Sequence, residues 1–125
     1  MIAVDTSSWI AFLSGEVGPD VPIVERALAE RQACMPPVVL TELLSDPRLP
    51  EHVASFLGEL PRLSLKDGYW ERAGRLRAKV IAARRKAPLA DALIAQCCID
   101  HSLRLVTRDS DFGHFVKLAG LEVLP

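Results

Sequence analysis

Short apolar runs, separated by longer stretches of helical spacing, constrain the fold of this chain more than any other feature. Residues 2–4, 33–35 and 103–106 are runs of three or four residues that are wholly or largely apolar. Strands buried on both faces have this pattern, because helices cover both sides of a parallel sheet. The alternation predicts an α/β fold with three layers, α/β/α, around a mostly parallel central sheet. At 125 residues, the chain is expected to form a single domain over residues 1–125.

Helical spacing predicts the segments that cover this sheet. The longest helix is predicted to run from Asp67 or Gly68 to about Arg85, with an apolar stripe at offsets of four, three and four residues. The stripe consists of Tyr69, Ala73, Leu76 and Val80. Asp20 is predicted to cap the second helix. Further helices are predicted over about 6–13, 20–31, 38–45, 51–60 and 87–100, weaker strands at 63–65 and 121–124, and a loop or single turn at 107–113.

The composition excludes several classes of protein. With a formal net charge of −1 and a pI near 6.3, the chain is not a globally basic nucleic-acid binder, although a local basic patch fits these values. Its three cysteines are odd in number and two are adjacent, which disfavours a disulfide framework and favours reduced thiols in the cytoplasm. No apolar run approaches the ~18–20 residues of a membrane span, and the first residues lack the basic start of a signal peptide.

Five acidic residues interrupt or close apolar stretches at separate places in the chain. Asp5 directly follows the first strand run, and Asp109 and Asp111 follow the run at 103–106. Glu42 lies among the valines and leucines of a predicted helix, and Asp91 lies in or just after the first turn of another. A carboxylate left dry and alone is costly, so each is expected to be exposed, paired or bound to a metal ion.

Each acid also has an ordinary explanation. Asp5 suits a helix cap, the two aspartates near residue 110 suit a polar turn, and Asp91 complements the positive end of a helix dipole. Glu42 suits a solvent-facing helix position. Taken together the acids predict more, because ligands of open parallel sheets bind beyond the carboxyl ends of the strands. Carboxylates gathered there would repel one another unless they protonate or a hard cation such as Mg²⁺ binds between them.

Four segments that contain these acids carry a family resemblance. They are MIAVDTSS at residues 1–8, LTELL at 40–44, ADALIA at 90–95 and LVTRDSDF at 105–112. In this order and spacing the chain resembles the PIN-domain ribonucleases, and more narrowly the VapC-type toxins of toxin–antitoxin pairs. Each segment alone is weakly specific, but together they span nearly the whole chain.

The resemblance implies hydrolysis of RNA phosphodiester bonds with Mg²⁺ or Mn²⁺ as the cofactor. Its implied metal ligands and catalytic residues are Asp5, Glu42, Asp91 and Asp109. Asp111 would be an auxiliary ligand, and Thr6 and Thr107 would orient the carboxylates. It also implies a homodimer and a small antitoxin protein whose tail covers the pocket. One departure is visible, because residues 85–88 read RKAP where family members often carry a glycine.

A basic segment supplies candidate substrate contacts. Residues 72–86 contain seven of the fifteen lysines and arginines and no acid. The phosphate contacts predicted from this segment are Arg72, Arg75, Lys79, Arg85 and Lys86. The same charges also suit a solvated helix face or a surface for an acidic partner. Arg108 is a further predicted phosphate contact, with a salt bridge inside the acidic cluster as its alternative.

Two other functions fit parts of the pattern. A phosphoacceptor receiver domain is also a parallel α/β domain, but it needs an acidic pair after the first strand, where this chain has Asp5 alone. A non-catalytic PIN-like scaffold or RNA-binding module is disfavoured because the full set of acids is present. Acyl transfer is disfavoured because Ser7 and Ser8 have no histidine at a triad-like spacing.

Overall fold

A computed structural model, which describes all residues from 1 to 125, contains one four-stranded sheet with every neighbouring pair parallel. The strands are β1 (Ile2–Val4), β2 (Ala33–Cys34), β3 (Leu105–Val106) and β4 (Val123–Leu124), in the order β2-β1-β3-β4. In register, Ala3 lies opposite Cys34 on one side and Leu105 on the other. The predicted parallel sheet and its edge strand near residue 124 are therefore confirmed.

Seven α-helices cover and connect these strands. They are α1 (Thr6–Leu13), α2 (Asp20–Ala29), α3 (Pro37–Leu44), α4 (Glu51–Glu59), α5 (Tyr69–Ala82), α6 (Leu89–Asp100) and α7 (Gly113–Ala119), with a 3₁₀ turn at Ser110–Phe112. The first six confirm the helices expected from the sequence, and α7 was not predicted. Helix α7 has only seven residues and begins with glycine, so neither its length nor its helix propensity indicates a helix from the sequence alone. No helix is both long and apolar enough to cross a membrane.

Three local predictions are wrong. Asp20 is the first residue of α2 instead of its cap, which is Pro19, and its carboxylate bonds elsewhere. Residues 63–65 form no strand, and the parallel bridge lies one residue earlier, between Met35 and Arg62. Helix α5 ends at Ala82, so residues 83–88 are not a continuation of its face.

The apolar stripe predicted on α5 is confirmed and faces the core. Tyr69, Ala73, Leu76 and Val80 are all buried. The Tyr69 hydroxyl donates a hydrogen bond of 2.6 Å to the carbonyl oxygen of Leu93 in α6. The pKa of Tyr69 is raised, and burial is the largest cause. The stripe thus packs α5 onto α6, the helix that carries one of the predicted acids.

An ion pair also joins the first turn of α5 to the last residue of α6. Arg72 donates from Nε to Asp100 Oδ1 at 3.0 Å, and its Nη2 donates to the other carboxylate oxygen. Its Nη1 donates to the carbonyl oxygen of Asp67. Burial alone would raise the pKa of Asp100, but hydrogen bonds from Arg72 and Gln96 outweigh it and lower that pKa. Arg72 therefore joins α5 to α6, and all three of its nitrogens are bonded within the protein.

We expect Arg72→Met to lower the free energy of unfolding by about 2 kcal/mol, because it leaves the largely buried Asp100 carboxylate without its charged donor. Arg75→Met is the matched control, since Arg75 is exposed on the same helix and makes no hydrogen bond or salt bridge. Urea unfolding at pH 7 measures both. Equal stability of the two variants would contradict a structural role for Arg72.

Candidate metal-binding active site

Asp5 is held by hydrogen bonds where β1 ends and α1 begins. It is buried, with 4% of its surface exposed, and it is the N-cap residue of α1. Its Oδ2 accepts from the Thr107 hydroxyl at 2.9 Å, the Ser7 hydroxyl at 2.7 Å and the Ser7 amide at 3.4 Å. All three bonds converge on Oδ2. Asp5 is therefore a helix cap, as its ordinary explanation proposed, and its Oδ1 remains available as a ligand.

Thr107 links the acids of two neighbouring strands. Its hydroxyl donates to Asp5 and accepts a hydrogen bond of 3.0 Å from the Asp109 amide. Asp109 Oδ1 in turn accepts from the Asp111 amide at 2.9 Å, which opens the 3₁₀ turn after β3. Since Val4 pairs with Val106, this chain of bonds lies at the carboxyl ends of adjacent parallel strands.

Glu42 reaches the same region from α3. Its buried neighbours Val39, Leu40 and Leu43 anchor the helix in the core, while Glu42 itself is exposed. The Thr6 hydroxyl donates to Glu42 Oε1 at 2.6 Å. The Glu42 carboxylate therefore lies at the exposed edge of the apolar helix face, and Thr6, the residue after Asp5, orients it.

Asp91 lies in the first turn of α6 and completes the group of acids. Its Oδ2 is buried and has no hydrogen-bond partner. Burial, followed by the charges of Asp109, Asp5, Glu42 and Asp111, raises its pKa to about 7. The structure thus brings together all five acids that the sequence singled out. Asp111 exerts the smallest of these four electrostatic effects on Asp91.

The acids gather in one region without closing into a tight cage. No three of the His, Cys, Asp and Glu side chains approach closely enough to coordinate one ion as they stand. Oxygen donors from separate elements, one of them buried and unbonded, nevertheless fit a hard divalent cation that keeps part of its water shell.

Ser7 belongs to the site although sequence reasoning assigned it no role. The available signal was its spacing, because a serine two residues after an N-cap aspartate is placed to hydrogen-bond back to it. Ser7 donates to Asp5 from both its hydroxyl and its amide.

The basic residues predicted to bind phosphate divide into two groups. Arg75, Arg85 and Lys86 are exposed and unbonded. Arg72 is bonded to Asp100, and Lys79 Nζ donates to the carbonyl oxygen of Leu118 at 2.6 Å. The donors of the second group are thus directed into the protein.

The loop that departs from the family pattern is held by an arginine. Arg77 Nε donates to the carbonyl oxygen of Ala87 at 2.8 Å, just before Pro88 caps α6. Arg84 adopts a left-handed conformation, with φ of 58°, where the chain leaves α5. These contacts position the start of α6, and with it Asp91, without a glycine in the loop.

Arg108 is paired with a buried acid outside the proposed metal site. Its Nε and Nη2 donate to the two oxygens of Asp20 at 2.9 and 2.8 Å, and Nη1 lies 3.6 Å from Glu16. The Asp20 side chain is only 1% exposed, and the hydrogen bonds from Arg108 lower its pKa. The guanidinium is therefore directed toward α2. That Arg108 contacts phosphate stays a prediction. The alternative, a salt bridge inside the acidic cluster, is not found, because Arg108 pairs with Asp20 outside that cluster.

Fold and site together define a parallel α/β domain with a cluster of acids beyond the carboxyl ends of its strands. The model of the PIN domain family matches residues 2–118. The chain belongs to the PIN-domain family.

Similar proteins are known by sequence and by structure. Ribonuclease VapC11 of Mycobacterium tuberculosis is 30% identical over 131 residues, which cover 98% of this chain and 96% of that protein. VapBC2 of Rickettsia felis, crystallised with a promoter DNA fragment, matches with a TM-score of 0.75 at 21% identity over 99% of this chain and 98% of its own. VapBC-1 of nontypeable Haemophilus influenzae matches with a TM-score of 0.76 at 16% identity over 99% and 97%. These likenesses confirm the three-layer, PIN-like fold.

We expect Asp91→Asn to stabilise the metal-free protein at pH 8 by about 1–2 kcal/mol, less than the roughly 4 kcal/mol that the full pKa difference corresponds to, because Asp91 is only half-buried and water screens its charge. The pKa of Asp91 is about 7 in the folded protein and 3.8 in its ordinary state. The free energy of unfolding therefore falls as pH rises from about 4 to 7, because the folded protein resists the charged form of Asp91. Above pH 7 this loss is complete. The gain should vanish near pH 4, where the folded protein holds Asp91 protonated. Urea unfolding in EDTA at pH 4, 6 and 8 measures it.

Asp5→Asn is the contrasting control for this experiment. Asp5 accepts three hydrogen bonds, so loss of its charge weakens them and should lower the free energy of unfolding by about 1 kcal/mol at pH 8. If Asp91→Asn also lost stability at pH 8, a penalty on the Asp91 charge from burial and from its acidic neighbours would be the wrong account.

Proposed function

We propose that this protein is a metal-dependent endoribonuclease that hydrolyses RNA phosphodiester bonds, and that it is the toxin of a toxin–antitoxin pair. The observation that carries the proposal is the buried, unbonded Asp91 oxygen surrounded by four further acids. Carboxylate oxygens that lie close together despite their mutual repulsion are typical ligands of Mg²⁺ or Mn²⁺ in proteins. The family match and the ribonuclease relatives support the same activity.

The residues proposed to hold the metal are Asp5, Glu42, Asp91 and Asp109, with Asp111 as an auxiliary ligand. When bound, a divalent ion makes water a better nucleophile at neutral pH and stabilises charge on the phosphate and the leaving oxygen. Ser7 and Thr107 hold the Asp5 carboxylate, and Thr6 holds that of Glu42. No side chain is required as a nucleophile in this proposal.

Positive charge near α6 is proposed to hold the RNA backbone. Arg85 and Lys86 are exposed immediately before Ala87 and Pro88 lead into the helix that carries Asp91, and Arg75 is exposed on α5. We assign the phosphate contacts to these three residues first, because their donors are unbonded. Arg72, Lys79 and Arg108 contribute positive charge, but their donors are bonded within the protein.

A cognate antitoxin and a second copy of the chain are the proposed protein partners. A solved structure from Klebsiella pneumoniae, matched with a TM-score of 0.70 at 20% identity, is described as a toxin–antitoxin complex. On α1, Ile10 and Leu13 leave part of an apolar helix face exposed, which suits a protein contact. A cytoplasmic location is proposed with them, since all three cysteines are free.

Cleavage of structured RNA by the purified protein with Mg²⁺ or Mn²⁺ tests the enzymatic proposal. We expect EDTA, Asp5→Asn and Asp91→Asn each to reduce the rate by more than ~100-fold, and Thr107→Val to reduce it by ~10–100-fold because only the orientation of a ligand is lost. Asp46→Asn is the matched control, since Asp46 is a surface acid on the loop after α3. Its rate should equal that of the wild type.

Two outcomes would overturn this proposal in different ways. Equal cleavage by the wild type and the Asp5 and Asp91 variants would mean that a contaminating nuclease cut the RNA. Metal-independent RNA binding without cleavage under any condition would favour the non-catalytic RNA-binding module.

Replacing Arg85 and Lys86 together by alanine should weaken RNA binding and lessen its salt dependence. Loss of two phosphate contacts reduces the slope of log affinity against log salt by about 1.4 for single strands. Binding of catalytically inactive Asp91→Asn protein to labelled RNA, at several salt concentrations, measures the slope. Arg48→Ala is the control, because Arg48 is a highly exposed cation on another loop. An unchanged slope in the double variant would remove these residues from the RNA path.

A further inference from the structure

A cleft of about 550 Å³ adjoins the acid cluster, and the function proposed above assigns it no ligand. One wall is the segment 17–20 between α1 and α2, and the other is the turn at 107–113. Thr107 and Asp109 line this cleft and also belong to the acidic site. Its volume lies in the ~300–1,000 Å³ range of small-ligand pockets. A phosphodiester at Asp109 would therefore have a neighbouring nucleoside within reach of the cleft.

Arg108 fastens the two walls to each other. It follows Thr107 on one wall and forms the two-pronged bond to Asp20 on the other. Its Nη2 also lies 3.4 Å from the carbonyl oxygen of Val17. Gly18 leaves room for this bond, because a Cβ there would lie 2.7 Å from both Arg108 Nη2 and Asp20 Oδ1. The cleft is thus preformed by contacts within the protein.

The lining of the cleft selects against phosphate and for an uncharged, flat group. Arg108 is the only cation in the lining, and its charge is balanced by Asp20, while Asp109 adds a negative charge. Apolar surface comes from Val17, Pro19 and Val123, while Phe112 lies buried beneath the cleft. Such a surface repels an anion and suits a ring with polar edges. A base of single-stranded RNA has this character, and proteins read such bases by packing and by edge hydrogen bonds.

We propose that this cleft binds the nucleobase next to the phosphodiester that the acids engage, with Arg108 as the positioning residue that keeps its wall in place. This assignment rests on the proposed ribonuclease function. The nucleobase would thereby contribute to the choice of cleavage site.

Binding of free nucleosides tests the cleft without any cleavage. We expect adenosine, guanosine, cytidine or uridine, added to the metal-free protein, to shift backbone amide resonances of residues 17–20 and 107–113. Gly18→Ala should weaken this binding at least fivefold, because its added methyl group displaces the Arg108–Asp20 pair at two flexible side-chain ends. Arg108→Lys should have a similar effect, since lysine cannot form the two-pronged bond. Gly74→Ala is the matched control, because nothing lies within 4 Å of the added methyl group.

Mapping of RNA ends after cleavage provides the second readout. Wild type and Gly74→Ala should share one preference for the base beside the cut, and Gly18→Ala should reduce that preference by about tenfold. Nucleosides that shift none of these amides, or an identical preference in all three proteins, would overturn the cleft assignment even if the enzyme cleaves RNA. Absence of metal-dependent cleavage in the wild type would instead overturn the ribonuclease function, whatever the nucleosides do.

Discussion

The parallel pairing of β1 with β3 is the constraint on which the acidic site depends. It places Val4 opposite Val106, so that the next residues of each strand, Asp5 and Thr107, meet at one edge of the sheet. The Thr107 hydroxyl then donates to Asp5 and accepts from the Asp109 amide. A register shift of one residue would turn these side chains to opposite faces. The site is therefore as rigid as the central strands that support it.

Stability and the proposed metal binding place opposite demands on these acids. The core around them is apolar and closed, whereas Asp91 carries a buried oxygen without a partner and a pKa raised first by burial and then by neighbouring acids. The protein thus maintains repulsion that its packing must offset, as functional sites often do. A bound cation would remove that repulsion, which links the fold directly to the proposed cofactor.

The arginines show how one residue type serves two purposes. Arg72, Arg77 and Arg108 each bond to another segment of the protein and fix, respectively, α5 against α6, the loop before Asp91 and the wall of the cleft at residues 17–20. Arg75 and Arg85 remain exposed, with free donors. Since both groups carry the same charge, the sequence alone could not tell an arginine bonded within the protein from one with free donors.

The amino-acid sequence by itself determined the parallel α/β class, the α5 stripe and the five acids, because burial period and the cost of a carboxylate in an apolar run are local properties. It missed α7, misplaced the cap of α2 and extended α5 into residues 83–85, since short helices and their ends depend on tertiary contacts. Only the tertiary structure decided which acids share a pocket, that Ser7 supports Asp5, and that Arg108 pairs with Asp20. These are contacts between segments distant in the chain or set by a particular backbone turn. Their partners are chosen by strand register and helix packing, which no single segment of sequence encodes.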